Sequence, residues 1–452
     1  MGLEGSSNKF AIHWPDRILG PPLSLKGMNV LCWSMFVAFL VVPLFVNLWV
    51  QFKTGSGSIR KFDSDFVYFY GIGQLLNEHP PVDLYNYGLQ QKIFNQIYPA
   101  HEAFYGPSPY PPYVALFFRP FARVSFESAY LLWMGISLAL YVAGIAATVK
   151  AVFPREQLII SLIFCFALAF YPFVFGTLLN GQLASVAVFS VGFAIFQERH
   201  SNPFCSGLAL SILAYKPTLL LLLLPMLFLT RRFKALFGFI FGTVILIVLA
   251  TAFTGIQIWP AYAHMLSHFG HSTGLRNQSV LQLWKYIDFV SLSFAVPGGR
   301  SRAGVVILIC LTSTIALGLA VLLWKSVKGG RSAQYLAWAA TLTWTLIVNL
   351  YVPIYDSVLV TIAVVLTLGA LRDLDWSVAA GWITFLSLLI FAVSWKTEAL
   401  AQRHGIQLLS IFIAALGLGQ LFILHRMIRD CLALNTIDKQ HGSAASSTVT
   451  LL

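Results

Sequence analysis

The chain of 452 residues has a mean hydropathy of +0.76 and only 10% charged residues, which excludes an ordinary soluble protein. Its net charge of +12 comes from basic residues in short loops between apolar runs, so a nucleic-acid partner is not expected. The five cysteines show neither a pairing pattern nor metal-ligand spacing, and neither disulfides nor zinc are predicted.

Apolar runs of about 18 or more residues recur from end to end and predict membrane-spanning helices. The first run, 28–50, is too long for a signal-peptide core and lacks a small-residue cleavage site after it, which predicts a retained anchor. We therefore expect an all-α polytopic membrane protein with about 12 membrane helices. These helices are predicted at 28–50, 127–149, 157–176, 182–197, 204–215, 217–229, 234–254, 303–325, 333–352, 356–371, 376–394 and 405–427.

The predicted helices 204–215 and 217–229 flank Lys216, and both are shorter than a full span. One interpretation is a single kinked span with a buried lysine. The other is a hairpin of two short helices, which we favour because a lysine exposed to lipid at mid-membrane costs several kcal/mol. Short helices also let a polar cavity reach into the membrane, where irregular backbone is tolerated only beside protein or water.

Two polar segments, 51–127 and 255–302, interrupt the apolar pattern. The short basic loops fall on one side of the predicted topology together with both termini, which marks that side as cytoplasmic and places both polar segments outside. This assignment requires 111–124 to lie along the membrane without crossing it. The predicted organisation is a cytoplasmic segment at 1–27, a single membrane domain at 28–430 and a cytoplasmic disordered tail at 431–452.

The unusual polar clusters all fall on the predicted non-cytoplasmic side. A structural protein has no need of such one-sided clustering, whereas an enzyme acting on a lipid-linked substrate does. A transporter or flippase for a lipid-linked or anionic substrate is the alternative, which explains the many helices but not the large first loop. A non-catalytic scaffold explains neither. The clusters contain Asp63 and Asp65, 108–112, 180–182, Lys216, 276–279, and Tyr355 with Asp356.

Six blocks follow one another along the chain: DFVYFYGIGQLLNEHPPVDLYN, SPYPPYVALFFRPFA, LLNGQLASVAVF, GLALSILAYKPTLLLLLLPML, RNQSVLQL and YVPIYDSVLV. In this order they resemble the GT-C fold glycosyltransferases of family 87. The resemblance implies a GT-C fold and inverting transfer of a sugar, with mannose favoured, from a polyprenyl-phosphate donor to a hydroxyl of a glycolipid, glycan or protein. It also implies a multi-pass protein of a bacterial inner membrane, with an extracytoplasmic active site and no nucleotide sugar or other cofactor.

The chemistry of such a transfer requires one carboxylate. An acceptor hydroxyl is a poor nucleophile near neutral pH, and a carboxylate within hydrogen-bond reach can take its proton during attack. The leaving phosphate needs little protonation, so a second acid is not required. Asp65 directly precedes an amphipathic, aromatic-rich stretch and is predicted to be this base, although it could instead cap a helix. Asp63 is the competing base and could otherwise bind the acceptor.

The leaving phosphate also requires positive charge and hydrogen-bond donors, for which Lys216, Arg276, Arg119 and Arg123 are candidates. Structural alternatives exist, because Lys216 could snorkel and Asp356 could cap a helix. His264, His268 and His271 have helical spacing but no accompanying carboxylates, so no metal site is predicted. The predicted substrate-binding residues are Asp63, Tyr110, Arg119, Asn180, Gln182, Lys216, His271, Arg276, Asn277, Gln278, Ser279, Tyr355 and Asp356.

Overall fold

The computed structural model is helical in nearly all of the chain that it describes, and the only β pairing there is a single bridge between Tyr286 and Pro353. For 269–272 and 432–448 the backbone alone is described. Most of the predicted first helix, 28–50, lies outside the described residues, which include one π-helical turn of it, Val37–Val41. The described residues are 30, 33–34, 37–41, 65–97, 107–272, 283–295, 298–299, 301–327, 329–350 and 352–448.

The α-helices of the described residues are numbered here in chain order. They are α1 Phe66–Glu78, α2 Tyr87–Ile97, α3 Pro112–Phe118, α4 Phe126–Val152, α5 Gln157–Leu168, α6 Ala184–Arg199, α7 Pro203–Ser211, α8 Leu223–Leu229, α9 Phe233–Thr254, α10 Ile258–Ser272, α11 Phe289–Ala295, α12 Arg302–Ser326, α13 Gly330–Ile347, α14 Leu359–Asp373, α15 Ser377–Ser394, α16 Thr397–His404 and α17 Leu408–Thr448. Shorter 3₁₀ and π turns connect them, at Pro81–Tyr85, Phe121–Arg123, Pro172–Leu179, Ile212–Tyr215, Pro217–Leu220, Leu283–Lys285 and Ile354–Val358.

Six helices of the described chain are long and apolar enough to cross a membrane. They are α4, α9, α12, α15, the unit Ile354–Asp373 and the segment Leu408–Cys431. The predicted helix 157–176 is instead α5 followed by Pro172–Leu179, bent by 57°, and it adds a seventh span if the pair is one. The chain is thus a polytopic membrane protein, and the number of about 12 helices stays a prediction.

The last helix, α17, continues beyond the predicted end at 427. Beyond Cys431 only its backbone path is described, and the expected disorder of the tail stays a prediction. The helix α13 forms the centre of the bundle, with 14 of its residues buried. By contrast, only 6% of the apolar window of α12 is buried. Such an exposed apolar surface suits contact with lipid.

Small residues bring neighbouring helices into backbone contact. A Cβ on Gly144 of α4 would lie 2.5 Å from the carbonyl oxygen of Val188 in α6. In the same way, a Cβ on Gly207 of α7 would lie 1.8 Å from the carbonyl oxygen of Ala235 in α9. Any side chain at these two glycines would force the helices apart.

The segment around Lys216 is a hairpin. Gly238 of α9 approaches Phe204 of α7, and Gly242 approaches Ser211, so α7 and α9 run in the same direction and the chain reverses between them. Both ends of the hairpin lie at one face, where Arg232 Nη1 is 2.5 Å from Glu198 Oε2. The helices α7 and α8 therefore do not form one continuous span.

The polar helix ends separate into two faces. One face, called here the basic face, is formed by 150–156, 198–202, 230–234, 325–335 and 371–376, and it is joined by ion pairs such as Arg372 to Glu156 at 2.7 Å. The opposite face, called here the site face, contains Asp65, the turn 180–182, Lys216 and Asp356. The assignment of the basic face to the cytoplasm remains a prediction from its charge.

The segment 111–124 contains α3, a seven-residue helix, followed by the turn Phe121–Arg123. A helix of this length is about 10 Å long, roughly a third of the hydrocarbon thickness of a bilayer. It is therefore too short to cross the membrane by itself.

We expect exposed residues of the two faces to react from opposite sides of the membrane. Lys92→Cys in α2 and Arg155→Cys on the basic face would be introduced into a background without the native cysteines. A membrane-impermeant maleimide should label Lys92→Cys in intact cells and Arg155→Cys only after lysis. Labelling of Arg155→Cys but not Lys92→Cys in intact cells would reverse the orientation.

Candidate functional site

The tight turn Asn180–Gly181–Gln182 joins the π-helical segment Pro172–Leu179 to α6. Gly181 has a φ of +70°, a backbone region in which residues with a side chain are strained. A Cβ at Gly181 would also lie 2.7 Å from Phe66 Cβ. The glycine therefore lets the turn approach the first residue of α1 and places the Asn180 and Gln182 side chains beside Asp65.

Two aromatic residues of α4 hold this turn through hydrogen bonds to backbone carbonyl oxygens. Tyr130 Oη donates to the carbonyl oxygen of Leu179, and Trp133 Nε1 donates to that of Gly181 at 2.8 Å. Both rings are buried. Sequence reasoning missed Tyr130 and Trp133, because aromatic residues three positions apart in an apolar helix look like ordinary packing or lipid-facing residues.

The Asp65 carboxylate accepts hydrogen bonds from two carboxamides. Asn180 Nδ2 donates to Asp65 Oδ2 at 2.8 Å, and Gln182 Nε2 donates to the same oxygen at 2.5 Å. The Asp65 backbone N–H donates in return to Asn180 Oδ1 at 2.9 Å. Although Asp65 occupies the N-cap position of α1, its side chain makes no capping hydrogen bond. The carboxylate is thus oriented by the 180–182 turn and not by the helix that it precedes.

A second cluster lies where the tip of the α7–α8 hairpin meets the start of α14. Lys216 Nζ forms an ion pair with Asp356 Oδ2 and lies 4.7 Å from the centre of the Tyr355 ring, within cation–π range. Asp356 is only 1% exposed, and the one hydrogen bond of its side chain to a described residue comes from Lys216. Its Oδ1 is buried and has no hydrogen-bond partner among the described residues. Lys216 is therefore held in protein, since its ammonium group is paired with a buried carboxylate.

The two clusters are joined through the segment 176–183. A Cβ on Gly176 would lie 3.0 Å from Tyr355 Cβ, so the second cluster packs against the π-helical segment. Tyr215, the residue before Lys216, donates its hydroxyl to the carbonyl oxygen of Leu183 at 3.1 Å. The residues on either side of the turn that orients Asp65 thus contact Tyr355 and Tyr215, the chain neighbours of Asp356 and Lys216.

Tyr110 is influenced by the charges of both clusters. Burial raises the pKa of its hydroxyl, and the carboxylates of Asp65 and Asp356 raise this pKa further. Since charge effects of this kind weaken with distance, the Tyr110 hydroxyl lies within electrostatic reach of both carboxylates. Tyr110 is therefore close to both clusters.

The two polar segments hold Tyr110 in place. Its ring lies 5.0 Å from the Phe69 ring in α1, and its carbonyl oxygen accepts a hydrogen bond from Tyr85 Oη at 2.9 Å. From the second segment, Tyr262 in α10 donates to the carbonyl oxygen of Pro109 at 3.2 Å. The two segments predicted to lie outside the membrane therefore meet beside Tyr110.

Arg119 is placed apart from these clusters. Its Nε donates to Asn77 Oδ1 at 3.2 Å, near the C-terminal end of α1, whereas Asp65 precedes the first residue of that helix. The two ends are about 18 Å apart along the helix axis. Arg119 instead lines a 350 Å³ cavity with His79 and Phe253. The structure does not bring it together with Lys216, and its substrate-binding role stays a prediction.

Several predicted site residues lie outside the described part of the chain, so their roles remain predictions: Asp63, Arg276, Asn277, Gln278 and Ser279, together with the side chain of His271. The His264 and His268 rings are stacked with centres 4.3 Å apart on α10. Among the described residues, no three His, Cys, Asp or Glu side chains are grouped closely enough to hold a metal ion.

The sequence matches the model of glycosyltransferase family 87 over residues 109–353, which is more than half of the chain. The matched region includes Tyr110, Asn180, Gln182 and Lys216. No curated protein and no solved structure matches the chain.

We expect Lys216→Met to destabilise the protein strongly, because it leaves the Asp356 carboxylate buried without a partner. Loss of one member of a buried ion pair typically costs about 3–5 kcal/mol. Thermal unfolding of the purified protein in detergent measures the effect, with Lys92→Met, an exposed lysine of α2, as the matched control. The double variant Lys216→Met/Asp356→Asn should recover most of the lost stability. An unfolding temperature of Lys216→Met equal to that of the control would show that the pair is unimportant for stability.

Proposed function

The chain belongs to glycosyltransferase family 87, and we propose that it transfers a sugar from a polyprenyl-phosphate donor to an acceptor hydroxyl with inversion at the anomeric carbon. Membership in the family indicates a glycosyltransferase with a GT-C fold, and the apolar helices place it in a membrane. The observation that carries the finer proposal is the Asp65 carboxylate, held by two carboxamides beside a lysine-containing cluster.

Asp65 is the general base of the proposed reaction. The acceptor oxygen attacks the anomeric carbon, the bond from that carbon to the phosphate oxygen breaks, and the acceptor proton passes to Asp65. Polyprenyl phosphate leaves as the second product. A single displacement of this kind inverts the anomeric carbon, and it requires one well-oriented carboxylate. The contacts from Asn180 and Gln182 supply that orientation.

Lys216 is the proposed contact of the donor phosphate. An ammonium group has three N–H donors, and its pairing with one Asp356 oxygen leaves donors for a phosphate. Because Asp356 and the ring of Tyr355 hold Lys216 in position, its charge is available without reorganisation as the phosphate leaves.

Two buried acceptor atoms support a hydroxyl-rich ligand. Gln182 Oε1 and Asp356 Oδ1 are buried without a hydrogen-bond partner in the described structure. The Gln182 amide orientation is set by Asp65, which must face the amide N–H. An unpaired buried acceptor costs about 1–3 kcal/mol. Sugar hydroxyls would satisfy both atoms once the surrounding side chains move to admit the ligand, because neither atom is accessible to solvent here. Mannose is the proposed sugar, on the family resemblance alone.

We place the reaction on the extracytoplasmic side of a bacterial inner membrane, because the site face lies opposite the basic face. The donor's polyprenyl chain would remain in the bilayer, and the acceptor would be a glycolipid, glycan or protein. No cofactor is part of the proposed reaction. A transporter or flippase would need a sealed compartment, whereas sugar transfer proceeds in detergent solution, so the assay below separates the two.

We expect purified protein in detergent to release polyprenyl phosphate from at least one member of a panel of synthetic polyprenyl-phosphate sugars, in the presence of an acceptor. Asp65→Asn should lower kcat at least about a hundredfold, since a general base typically contributes about 10²–10⁴ in rate. Donor binding should be retained, because the amide keeps the shape of the carboxylate.

Asp83→Asn is the matched control, as it makes the same change in the same polar segment, in the turn Pro81–Tyr85. Asp63→Asn tests the competing base and should stay well above the hundredfold loss. Collapse of activity in Asp63→Asn with a normal rate in Asp65→Asn would assign the base to Asp63. Absence of transfer from every donor by the unmodified protein would refute the proposed reaction.

A further inference from the structure

The residues just before α11 pair through their backbone with the residues that precede Tyr355 and Asp356. Ile287 N–H donates to the carbonyl oxygen of Val352 at 2.9 Å, and Tyr286 forms an antiparallel bridge with Pro353. Ile287 and Val352 are both buried. This junction connects the second polar segment, 255–302, to the residues that precede α14, close in sequence to Asp356 of the ion pair.

Asp288 is the buried acid at this junction. Its Oδ2 accepts hydrogen bonds from Val352 N–H at 2.7 Å and from Ser291 Oγ at 3.0 Å, and its Oδ1 accepts one from Ser291 N–H at 2.8 Å. The side chain is fully buried, and within the described residues it belongs to no ion pair. A buried carboxylate is tolerated only when its oxygens are satisfied in this way.

The hydrogen bond between Asp288 and Val352 N–H is connected to the second cluster through a few residues of backbone. Pro353 follows Val352, and its carbonyl oxygen accepts a hydrogen bond from Asp356 N–H at 3.0 Å. Asp356 in turn holds Lys216. Asp288 therefore fixes the backbone immediately before the residues that carry the second cluster.

We propose that Asp288 is a positioning residue that sets the orientation of the Tyr355–Asp356 turn and, through Asp356, the placement of Lys216 at the donor end of the site. Only the kinetic consequence of this inference rests on the proposed function. Its structural consequence, a fixed 352–356 backbone, is independent of any activity.

The hydrogen bonds of the Asp288 side chain have two roles, and variants can separate these roles. Two bonds go to Ser291 and cap α11, and the third goes to Val352. Asp288→Ser keeps a good N-cap residue but is too short to reach Val352 N–H, and Asp288→Ala removes all three acceptor bonds. Ser291→Ala is the matched control, since it removes a capping contact and leaves the Val352 bond intact.

The test combines hydrogen exchange with steady-state kinetics on the purified full chain. We expect Asp288→Ser and Asp288→Ala to speed amide exchange of peptides covering 352–358 about tenfold, while Ser291→Ala stays within about twofold of the unmodified protein. We expect the KM for the polyprenyl-phosphate sugar to rise about tenfold in the two Asp288 variants, with kcat changed less than about threefold.

The outcomes separate the inference from the proposed function. Unchanged exchange at 352–358 in the Asp288 variants would overturn the inference, as would equal effects in Ser291→Ala, which would make Asp288 a helix cap alone. Failure of both Asp288 variants to fold, with Ser291→Ala folded, would also overturn it by assigning Asp288 to overall stability. If the unmodified protein transfers no sugar, the proposed function fails and the exchange result still decides the role of Asp288.

Discussion

The ion pair between Lys216 and Asp356 is the interaction on which the site's arrangement depends. A lysine in the middle of a long apolar stretch is tolerated only where the protein supplies a counter-charge and shields it from lipid. The chain meets this requirement by reversing direction at Lys216 and by placing Asp356, in the turn Ile354–Val358 just before α14, where it pairs with the lysine. The short helices α7 and α8, the approach of the hairpin tip to Leu183 and the burial of Asp356 are all consistent with this pairing.

A different kind of contact governs the other half of the site. Asp65 accepts hydrogen bonds from two carboxamides, which are neutral and therefore reduce the basicity of a carboxylate less than an ammonium partner does. Among the described contacts, the carboxylate of Asp65 thus accepts from two amides, whereas that of Asp356 is ion-paired with Lys216. Different environments for two carboxylates are a common means of giving them different roles.

The positions of the long spans could be predicted from the sequence because hydropathy alone determines them. The helix predicted at 234–254 is found at Phe233–Thr254, and the hairpin at Lys216 followed from the energetic cost of a charge in lipid. The bend after α5 was missed, although Pro172 stands at the start of the π-helical segment. A proline in an apolar run signals a kink without giving its angle.

Within the site, the residue types could be predicted and their pairing could not. Asp65, Asn180 and Gln182 were each nominated from local sequence, but the contact between them joins residues 115 and 117 positions apart. For Arg119 the residue type was suitable but the location was not. Its charge fits a phosphate, yet it lies at the end of α1 away from Asp65, because that end packs against α3. Asp288 gave no signal, because an acid between Ile287 and Phe289 in a loop is usually solvated.

The hairpin also constrains the order in which the protein can be assembled during synthesis. Lys216 leaves the ribosome 140 residues before Asp356, so the hairpin is made long before its counter-charge exists. Until α14 arrives, a lysine at bilayer depth lacks the partner that makes its burial tolerable. We therefore expect the hairpin tip to remain near the aqueous interface in the nascent chain and to dock beside the 180–183 turn only after Asp356 has been made.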